Sequence, residues 1–406
     1  MIEYETRGQA PTSSPPGRTF VDVNTFYSPR AGGIRTYHQA KIAYFSAQDV
    51  HDYVLFHPGP AFAVHHDRPH VSRIEAYGPI VSADPRGYRF MLDYVRIARE
   101  IRRLRPAVVE SGDPWLTGVS LMLMKWLRLH RGRLVSFYHS DPFLTHVERW
   151  AARGSLRPLR RLIGAVAAFG FYTLQKGYDL TVVSSEAMHR RLLARGINAV
   201  RIPFGVPDEF LASPPPARAP VAGGPRRLLY AGRLNPEKGA GLLLECLPRL
   251  LEDPRVHVTV IGRGPLKPAY DAFSHPRFNF AGFVEDRDAA VRLYDAHDIL
   301  LAPGPFESFG LAAIEGMARG MAVVGPDRGG SAELLRRIAS PFEFPAADAP
   351  GFIAAVGRAV DADTATLATL AAAGRRLAEE HGSFGDAIGR MVEFYLRYAE
   401  DPAARP

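Results

Sequence analysis

Two carboxylates, Glu307 and Glu315, flank a stretch whose residue types could hold an anion. The apolar run Asp298-Ile299-Leu300-Leu301-Ala302-Pro303 reads as a buried parallel strand. Pro305-Phe306-Glu307-Ser308-Phe309-Gly310 then reads as a loop, and the alanine-rich segment from Leu311 onward as a helix. In such a passage the backbone N–H groups of Phe309, Gly310 and Leu311 sit at a helix N-terminus, where the macrodipole favours a phosphate. Glu315 falls about 1.5 turns inside the helix, so the two carboxylates can address opposite ends of one phosphate-containing molecule. Taken singly, each glutamate reads equally well as a solvated surface group. A second strand, loop and helix begins at Arg227 and carries Arg233 and Lys238. Arginine offers a planar fork for phosphate oxygens and lysine a compact point charge, so the pair could neutralise a diphosphate without a metal. An arginine and a lysine five residues apart are, by themselves, two surface cations.

The elements that must position these groups follow an alternating pattern. After a polar leader over residues 1–18, Phe20 to Val23 reads as the first strand, followed by a loop with Gly32 and Gly33 and a helix to about Ala47. Strands are predicted at Tyr53 to His57, Ala107 to Glu110, Leu134 to Tyr138 and Leu180 to Val183. Helices are predicted at Gly87 to Leu104, Trp115 to Leu129 and Leu159 to Lys176. This is a doubly wound α/β pattern, in which ligands bind beyond the carboxyl ends of the strands. His139 and Asp141, directly after a strand, are therefore candidates. So are the turn at Gly262 after Val256 to Ile261, and Phe283 and Val284 after another short strand. The Pro- and Ala-rich run from Ser213 to Pro225 marks a linker. The expected division is a leader (1–18), a first domain (19–205), a second domain (206–384) and a C-terminal amphipathic helix within 385–406.

Glu307 and Glu315 stand in the pattern Glu-Ser-Phe-Gly-Leu-Ala-Ala-Ile-Glu-Gly-Met-Ala-Arg-Gly, and Arg233 and Lys238 in Gly-Arg-Leu-Asn-Pro-Glu-Lys-Gly. Together these resemble the signature of retaining glycosyltransferases of family 4, which have the GT-B fold. The resemblance implies two Rossmann-like domains facing each other across a cleft, with the C-terminal helix crossing back to the first. It implies that Arg233, Lys238 and the amides beside Ser308, Phe309, Gly310 and Leu311 hold the donor diphosphate, and that Glu307 lies near the donor sugar. Glu315 would meet the ribose hydroxyls and Phe283 and Val284 the nucleobase. Gly32 and Gly33 would lie close to the diphosphate and Gly262 on the donor side, with His139 on the transferred sugar and Asp141 on the acceptor side. Pro207 departs from the family's usual Asp at the exit from the first domain. The Tyr-His-Ser-Asp and Ala-Pro-Gly-Pro-Phe-Glu-Ser-Phe-Gly segments resemble mannosyltransferases that use GDP-mannose. The expected activity is thus hexose transfer, with mannose from GDP-mannose favoured, to a lipid-linked or saccharide acceptor. UDP-glucose, UDP-galactose or UDP-N-acetylglucosamine donors are the alternative, and a non-catalytic nucleotide-sugar-binding protein of the same fold is another.

Composition bounds the remaining choices. The chain has 406 residues, 47% of them hydrophobic, as in soluble globular proteins, and one cysteine, Cys246, which excludes an internal disulfide framework. The N-terminus has no basic and apolar signal segment, and no apolar run is long enough to span a bilayer. A cytoplasmic protein, peripheral on the inner face of the cell membrane, is expected. Residues 1–205 carry 28 Lys+Arg against 16 Asp+Glu, a net of +12; the remainder carries 22 against 26, a net of −4, which together give +8. The basic half could draw in an anionic acceptor or rest on anionic lipid. No basic run is interleaved with stacking aromatics as nucleic-acid modules require. His57, His65, His66 and His70 read as a loop cluster whose spacing alone could suggest a metal, but no supporting Cys and no second His/Glu pair at helical spacing accompanies them. The Asp286-Arg287-Asp288 and Asp361-Ala362-Asp363 triplets are also set aside as metal sites. No metal or cofactor is expected, since cations and helix N-termini can neutralise the leaving group.

Overall fold

The computed structural model describes residues 18–27, 32–80, 89–113, 115–138, 157–217 and 224–404 of the chain. Chain contacts group it into two compact units. The first comprises Met1–Phe137, Gly177–Leu180 and Tyr395–Ala404, the second Tyr138–Lys176, Thr181–Phe394 and Arg405–Pro406.

The first eight strands are β1 (Thr19–Val23), β2 (Asp52–Gly59), β3 (Ala63–Arg68), β4 (Val71–Tyr77), β5 (Val108–Ser111), β6 (Arg133–Phe137), β7 (Leu180–Val183) and β8 (Ala199–Arg201). They form a sheet in the order β3-β4-β2-β1-β5-β6-β7-β8. Between them run α1 (Gly32–Ser46), α2 (Tyr94–Leu104), α3 (Leu116–Trp126), α4 (Arg157–Gln175) and α5 (Glu186–Leu193). β3 pairs antiparallel with β4 at the edge, while the strands from β4 to β6 pair in parallel. Alternation along β1 sends Val21 and Val23 to one side and Asp22 to the other. On the valine side, Ile97 and Ile101 of α2 and Leu121 and Met124 of α3 close a core with Val54, Phe56, Val109 and Leu134.

The second sheet contains β9 (Arg226–Ala231), β10 (Val256–Ile261), β11 (Phe278–Gly282), β12 (Ile299–Leu301), β13 (Ala322–Pro326) and β14 (Glu343–Phe344). All are parallel, in the order β11-β10-β9-β12-β13-β14. The helices of this part are α6 (Asp208–Leu211), α7 (Ala240–Leu250), α8 (Lys267–Ala272), α9 (Arg287–Asp295), α10 (Leu311–Ala318), α11 (Gly330–Arg337), α12 (Ala349–Asp361), α13 (Thr364–His381) and α14 (Phe384–Glu400). Leu228 and Tyr230 pack with α7 and α12 on one face. Leu229, Leu300 and Val323 pack with α10 and α13 on the other. A parallel sheet covered on both faces explains why its strands read as unbroken apolar runs.

Several helix starts are locally encoded. Ser185 accepts a hydrogen bond from the Met188 amide, Asp286 from the Asp288 and Ala289 amides, and Asp363 from the Thr366 amide. Asp286 and Asp363 are thus caps, and Asp361 pairs with Arg255 at 2.8 Å. Two local readings are corrected. The helix expected from Gly87 starts at Tyr94, with residues 81–88 outside the described ones. Of the histidines expected in a loop, His57 lies buried on β2, His65 and His66 lie on β3, and His70 in the turn between β3 and β4. His65 sits 3.5 Å from Glu75, His66 bonds Ser72 at 2.9 Å, and His70 bonds Asp52 at 3.0 Å. Cross-strand pairing, which local composition does not reveal, supplies those partners.

Candidate active site

In the second sheet the chain runs outward from β9 through β10 to β11, then returns to the other side of β9 for β12. The loops after β9 and β12 therefore leave neighbouring strands in opposite directions, which opens a crevice at their carboxyl ends. Arg233 and Lys238 lie on the first loop, Glu307 and the start of α10 on the second. The two loops touch. A Cβ added at Gly239, whose φ is 71°, would stand 2.5 Å from the Pro303 carbonyl carbon, so only glycine allows this approach. Tyr230, inside the sheet, donates its hydroxyl to the carbonyls of Arg233 at 2.9 Å and Lys238 at 3.3 Å and so shapes the cationic loop from beneath.

Lys238 Nζ donates to Glu307 Oε1 at 2.6 Å, with the two side chains 25% and 23% exposed. Lys238, which the resemblance sets on the diphosphate, and Glu307, which it sets near the donor sugar, thus form one ion pair. Arg233 is exposed, with one guanidinium nitrogen 4.0 Å from Glu237 Oε1. Glu237 is itself held by Asn235 Nδ2 at 2.6 Å.

The start of α10 is capped by Gly310 at φ 87°, with no side-chain cap. Among the described residues, the amides of Phe309, Gly310 and Leu311 donate to no protein acceptor. Unpaired N–H groups at a helix start are a ready anion site. The Phe309 ring itself is buried, 5.7 Å from the ring of Phe204 and 5.3 Å from that of His381, so only its backbone faces a ligand task. Ser308 is partly exposed beside it. Behind this loop, Gly330 accepts close packing against Phe309 and donates its amide to the Glu307 carbonyl at 2.7 Å. The next residue, Ser331, carries a buried hydroxyl without a hydrogen-bond partner, 3.0 Å from where a Gly310 Cβ would stand. A lone serine after Gly-Gly gave no sequence signal for this.

Glu315 lies deeper. Tyr294 donates to its Oε2 at 2.8 Å, and Arg287 approaches Oε1 at 3.8 Å. Burial raises the Glu315 carboxyl above its ordinary value, opposed by Arg287 and by the Tyr294 hydrogen bond. Its oxygens are oriented by partners that lie 28 and 21 residues upstream and had no motif to announce them. On the far side of β9, Gly262 donates to the Gly282 carbonyl at 2.7 Å, tying the β10 and β11 exits together. Phe283 is exposed, and the Arg263 guanidinium lies over its ring at 4.1 Å, a flat cationic platform. Val284 is half-buried against the core of α9 and α10.

In the first unit, Gly32 opens α1 and Gly33 follows; a Cβ added at Gly33 meets nothing within 4 Å. His139 and Asp141 lie outside the described residues. No group of three or more metal-ligating side chains occurs among the described residues.

Unpartnered amides, two cations and oriented carboxylates at the switch point of a parallel sheet form a candidate anion-binding crevice of a doubly wound α/β protein. The comparisons with known proteins make this specific. Residues 31–210 match the family described as Glycosyltransferase Family 4, and residues 225–362 match Glycosyl transferases group 1. The chain is 33% identical over 316 residues to the GDP-mannose-dependent alpha-(1-6)-phosphatidylinositol dimannoside mannosyltransferase of Mycobacterium tuberculosis, covering 75% of this chain and 78% of that protein. It is 32% identical over 263 residues to the phosphatidyl-myo-inositol mannosyltransferase of Mycolicibacterium smegmatis, 62% of each. Among solved structures, sucrose-phosphate synthase from Thermosynechococcus elongatus superimposes with a TM-score of 0.69 at 20% identity, covering 94% of this chain and 99% of that one. A trehalose-6-phosphate structure from E. coli bound with UDP-2-fluoro glucose gives 0.65 at 14%, covering 93% and 98%. The chain belongs to glycosyltransferase family 4: it has the GT-B fold and is a hexosyltransferase.

Proposed function

We propose that this protein transfers mannose from GDP-mannose, with retention of configuration, to a lipid-linked or saccharide acceptor. The observation that carries the reading is the meeting of the β9 and β12 loops, where Lys238 and Glu307 pair beside three unpartnered amides. Support for the donor comes from the relative named as GDP-mannose-dependent, and support for a glycolipid acceptor from the phosphatidylinositol in both relatives' names.

The diphosphate enters against the amides of Phe309, Gly310 and Leu311. Lys238 then exchanges part of its bond to Glu307 for a phosphate oxygen, and Arg233 swings its fork onto the same group. As the bond from the sugar to the phosphate breaks, the negative charge develops where these donors already point, and no divalent ion is needed. Glu307, released from Lys238, orients the sugar and offsets positive charge at the reacting carbon. Same-face attack lets the departing phosphate take the acceptor's proton, so no carboxylate forms a covalent bond. Glu315, held by Tyr294 and Arg287, receives the ribose hydroxyls. Phe283 and Arg263 border the nucleobase, while the family resemblance gives His139 a role at the transferred sugar and Asp141 one on the acceptor side. A peripheral position on the inner face of the cell membrane is supported by the excess of Lys and Arg in the first half.

Thermal-shift and transfer assays against GDP and UDP sugars test the donor. Stabilisation and turnover by GDP-mannose above the others are expected; a preference for a UDP sugar overturns the donor assignment, and binding without transfer or hydrolysis overturns the enzyme reading. Activity retained in excess EDTA is expected, and loss that added Mg²⁺ restores would overturn the metal-free mechanism.

A further inference from the structure

Large apolar side chains exposed to solvent concentrate in the first half of the molecule; beyond Leu193, only Phe283 is of this kind among the described residues. One set, Leu159, Leu162, Ile163, Val166 and Phe169, is on α4, and another is on α3, which lies beside a basic helix. The inward face of α3 buries Leu121 and Met124, yet its outward face presents Leu116, Val119, Leu123, Trp126 and, just beyond, Leu127. Trp126 is 77% exposed and Leu123 52%. A helix apolar on both faces ordinarily has both covered. The one charged side chain within α3, Lys125, is already paired with Asp179, so the outer face has no charge to keep it in water.

Beside α3, on the same side of the first sheet, lies α2, and the two helices meet where Tyr94 Oη stands 3.1 Å from Thr117 Oγ1. The outer surface of α2 is basic. Arg103 pairs with Glu100 and Arg96 with Asp93, but Arg99, Arg102 and Arg105 are exposed and meet no carboxylate among the described residues. Phe90, Leu92 and Val95, the last 74% exposed, extend the apolar area at the start of α2.

We infer that the α2–α3 layer is a docking face for an anionic lipid surface, with Trp126 and Leu123 entering the interface and Arg99, Arg102 and Arg105 on the headgroups. The inference deepens the proposed peripheral membrane contact and rests on it. An uncovered apolar stripe beside uncompensated arginines matches a bilayer that offers acyl chains and negative headgroups together. A second copy of this chain would have to bring acidic side chains to the same apolar stripe. α3 has eleven residues and is about 16 Å long, which is too short to cross a hydrocarbon core of about 30 Å, so it lies in the plane of the interface. Tryptophan suits that depth because its ring is apolar and its N–H polar.

The test is co-sedimentation of the full chain with vesicles of phosphatidylcholine alone or mixed with phosphatidylglycerol, at rising salt. Sedimentation with the anionic vesicles, weakened by salt, is expected. Replacing the three arginines together (Arg99→Gln, Arg102→Gln, Arg105→Gln) lowers partition by about fivefold each, on the order of a hundredfold in total, on anionic vesicles only. Leu123→Ser with Trp126→Ser lowers it roughly tenfold or more on either vesicle. Both variants change side chains already in water, and a GDP-induced thermal shift equal to wild type shows that they fold. Vesicle addition shifts tryptophan emission to the blue, and Trp126→Phe removes most of that shift. Wild type that stays in the supernatant, or variants that sediment like it, overturns the docking face while the GDP shift leaves the transferase reading standing. A concentration-dependent dimer abolished by Trp126→Ser, without lipid binding, also overturns it, in favour of a second copy. Absence of any GDP shift in wild type strikes the functional reading instead.

Discussion

Replacing Lys41 by methionine tests how the first unit is held together. Lys41 Nζ lies 2.8 Å from both Asp22 Oδ2 and Glu110 Oε2, and all three side chains are buried. Tyr53 donates to Asp22 at 2.8 Å, and Tyr37 and Tyr395 each donate to Glu110 at 2.8 Å. His38, 3.3 Å from Asp22, has its pKa lowered by burial, so one ammonium serves two carboxylates. Burial raises the Asp22 carboxyl, but Lys41 and His38 outweigh it and hold it down to about 2. Burial and the charge on Asp22 push Glu110 up to about 6 despite Lys41. Removing the ammonium leaves two buried carboxylates facing each other, at a cost of about 3–5 kcal/mol, or a fall in Tm on the order of 10 °C.

The sign of the pH dependence follows. Glu110 is an acid whose folded pKa exceeds its ordinary 4.5, so in the wild type it costs stability as pH rises from 4.5 to about 6. That shift corresponds to about 2 kcal/mol. Asp22 acts oppositely: its contribution is present above 3.8 and is lost as pH falls towards about 2. In Lys41→Met the influence that lowers Glu110 is gone, so its loss of stability grows and extends to higher pH. Differential scanning fluorimetry at pH 5 and pH 8 should show the variant far more destabilised at pH 8, and adding Glu110→Gln should recover part of the loss. A deficit no larger at pH 8 than at pH 5, or a variant as stable as wild type at pH 8, would refute the reasoning.

Lys238→Ala should cut transfer by roughly 10²–10³-fold, as loss of a transition-state donor does. Its pair with Glu307 is a quarter exposed, so Tm should reflect no more than about 1 kcal/mol; steady-state kinetics beside a melting curve checks both. Gly310→Ala places a Cβ 2.9 Å from the Ser331 amide nitrogen at φ 87°, costing about 1–2 kcal/mol and abolishing the nucleotide-induced thermal shift. Tyr294→Phe deprives Glu315 Oε2 of its donor, costing about 1–3 kcal/mol. Because Glu315 is a buried acid with a raised pKa, that cost should shrink on acidification, as pH-dependent melting will show.

Much of the local structure of the candidate site was legible in one dimension. The strand, loop and helix around Glu307 stand where the apolar run and Gly310 put them, since a buried strand, a flexible turn and an alanine-rich helix are local preferences. The caps at Ser185, Asp286 and Asp363 also rest on local contacts, although Asp286 and Asp363 stood out in the sequence only as parts of the two Asp-x-Asp triplets. The hairpin over residues 63–77 was missed because its histidines find their partners across strands, at spacings that no local pattern carries. Local spacing likewise gave no hint of the Asp22, Lys41, Glu110 and Tyr395 cluster, which draws on β1, α1, β5 and α14.

Residue types and short-range spacing by themselves determined the alternating α/β pattern and the helix that starts beyond Gly310, while the motifs around Glu307 and Lys238 carried the resemblance to a transferase family. Only the tertiary structure decided that Lys238 and Glu307, 69 residues apart, grip each other, and that Tyr294 and Arg287 orient Glu315. The physical reason is strand order. Propensity and periodicity act over a few residues, whereas placing β12 against β9 rather than β11 is settled by which apolar faces bury together, and that choice alone brings the two loops side by side.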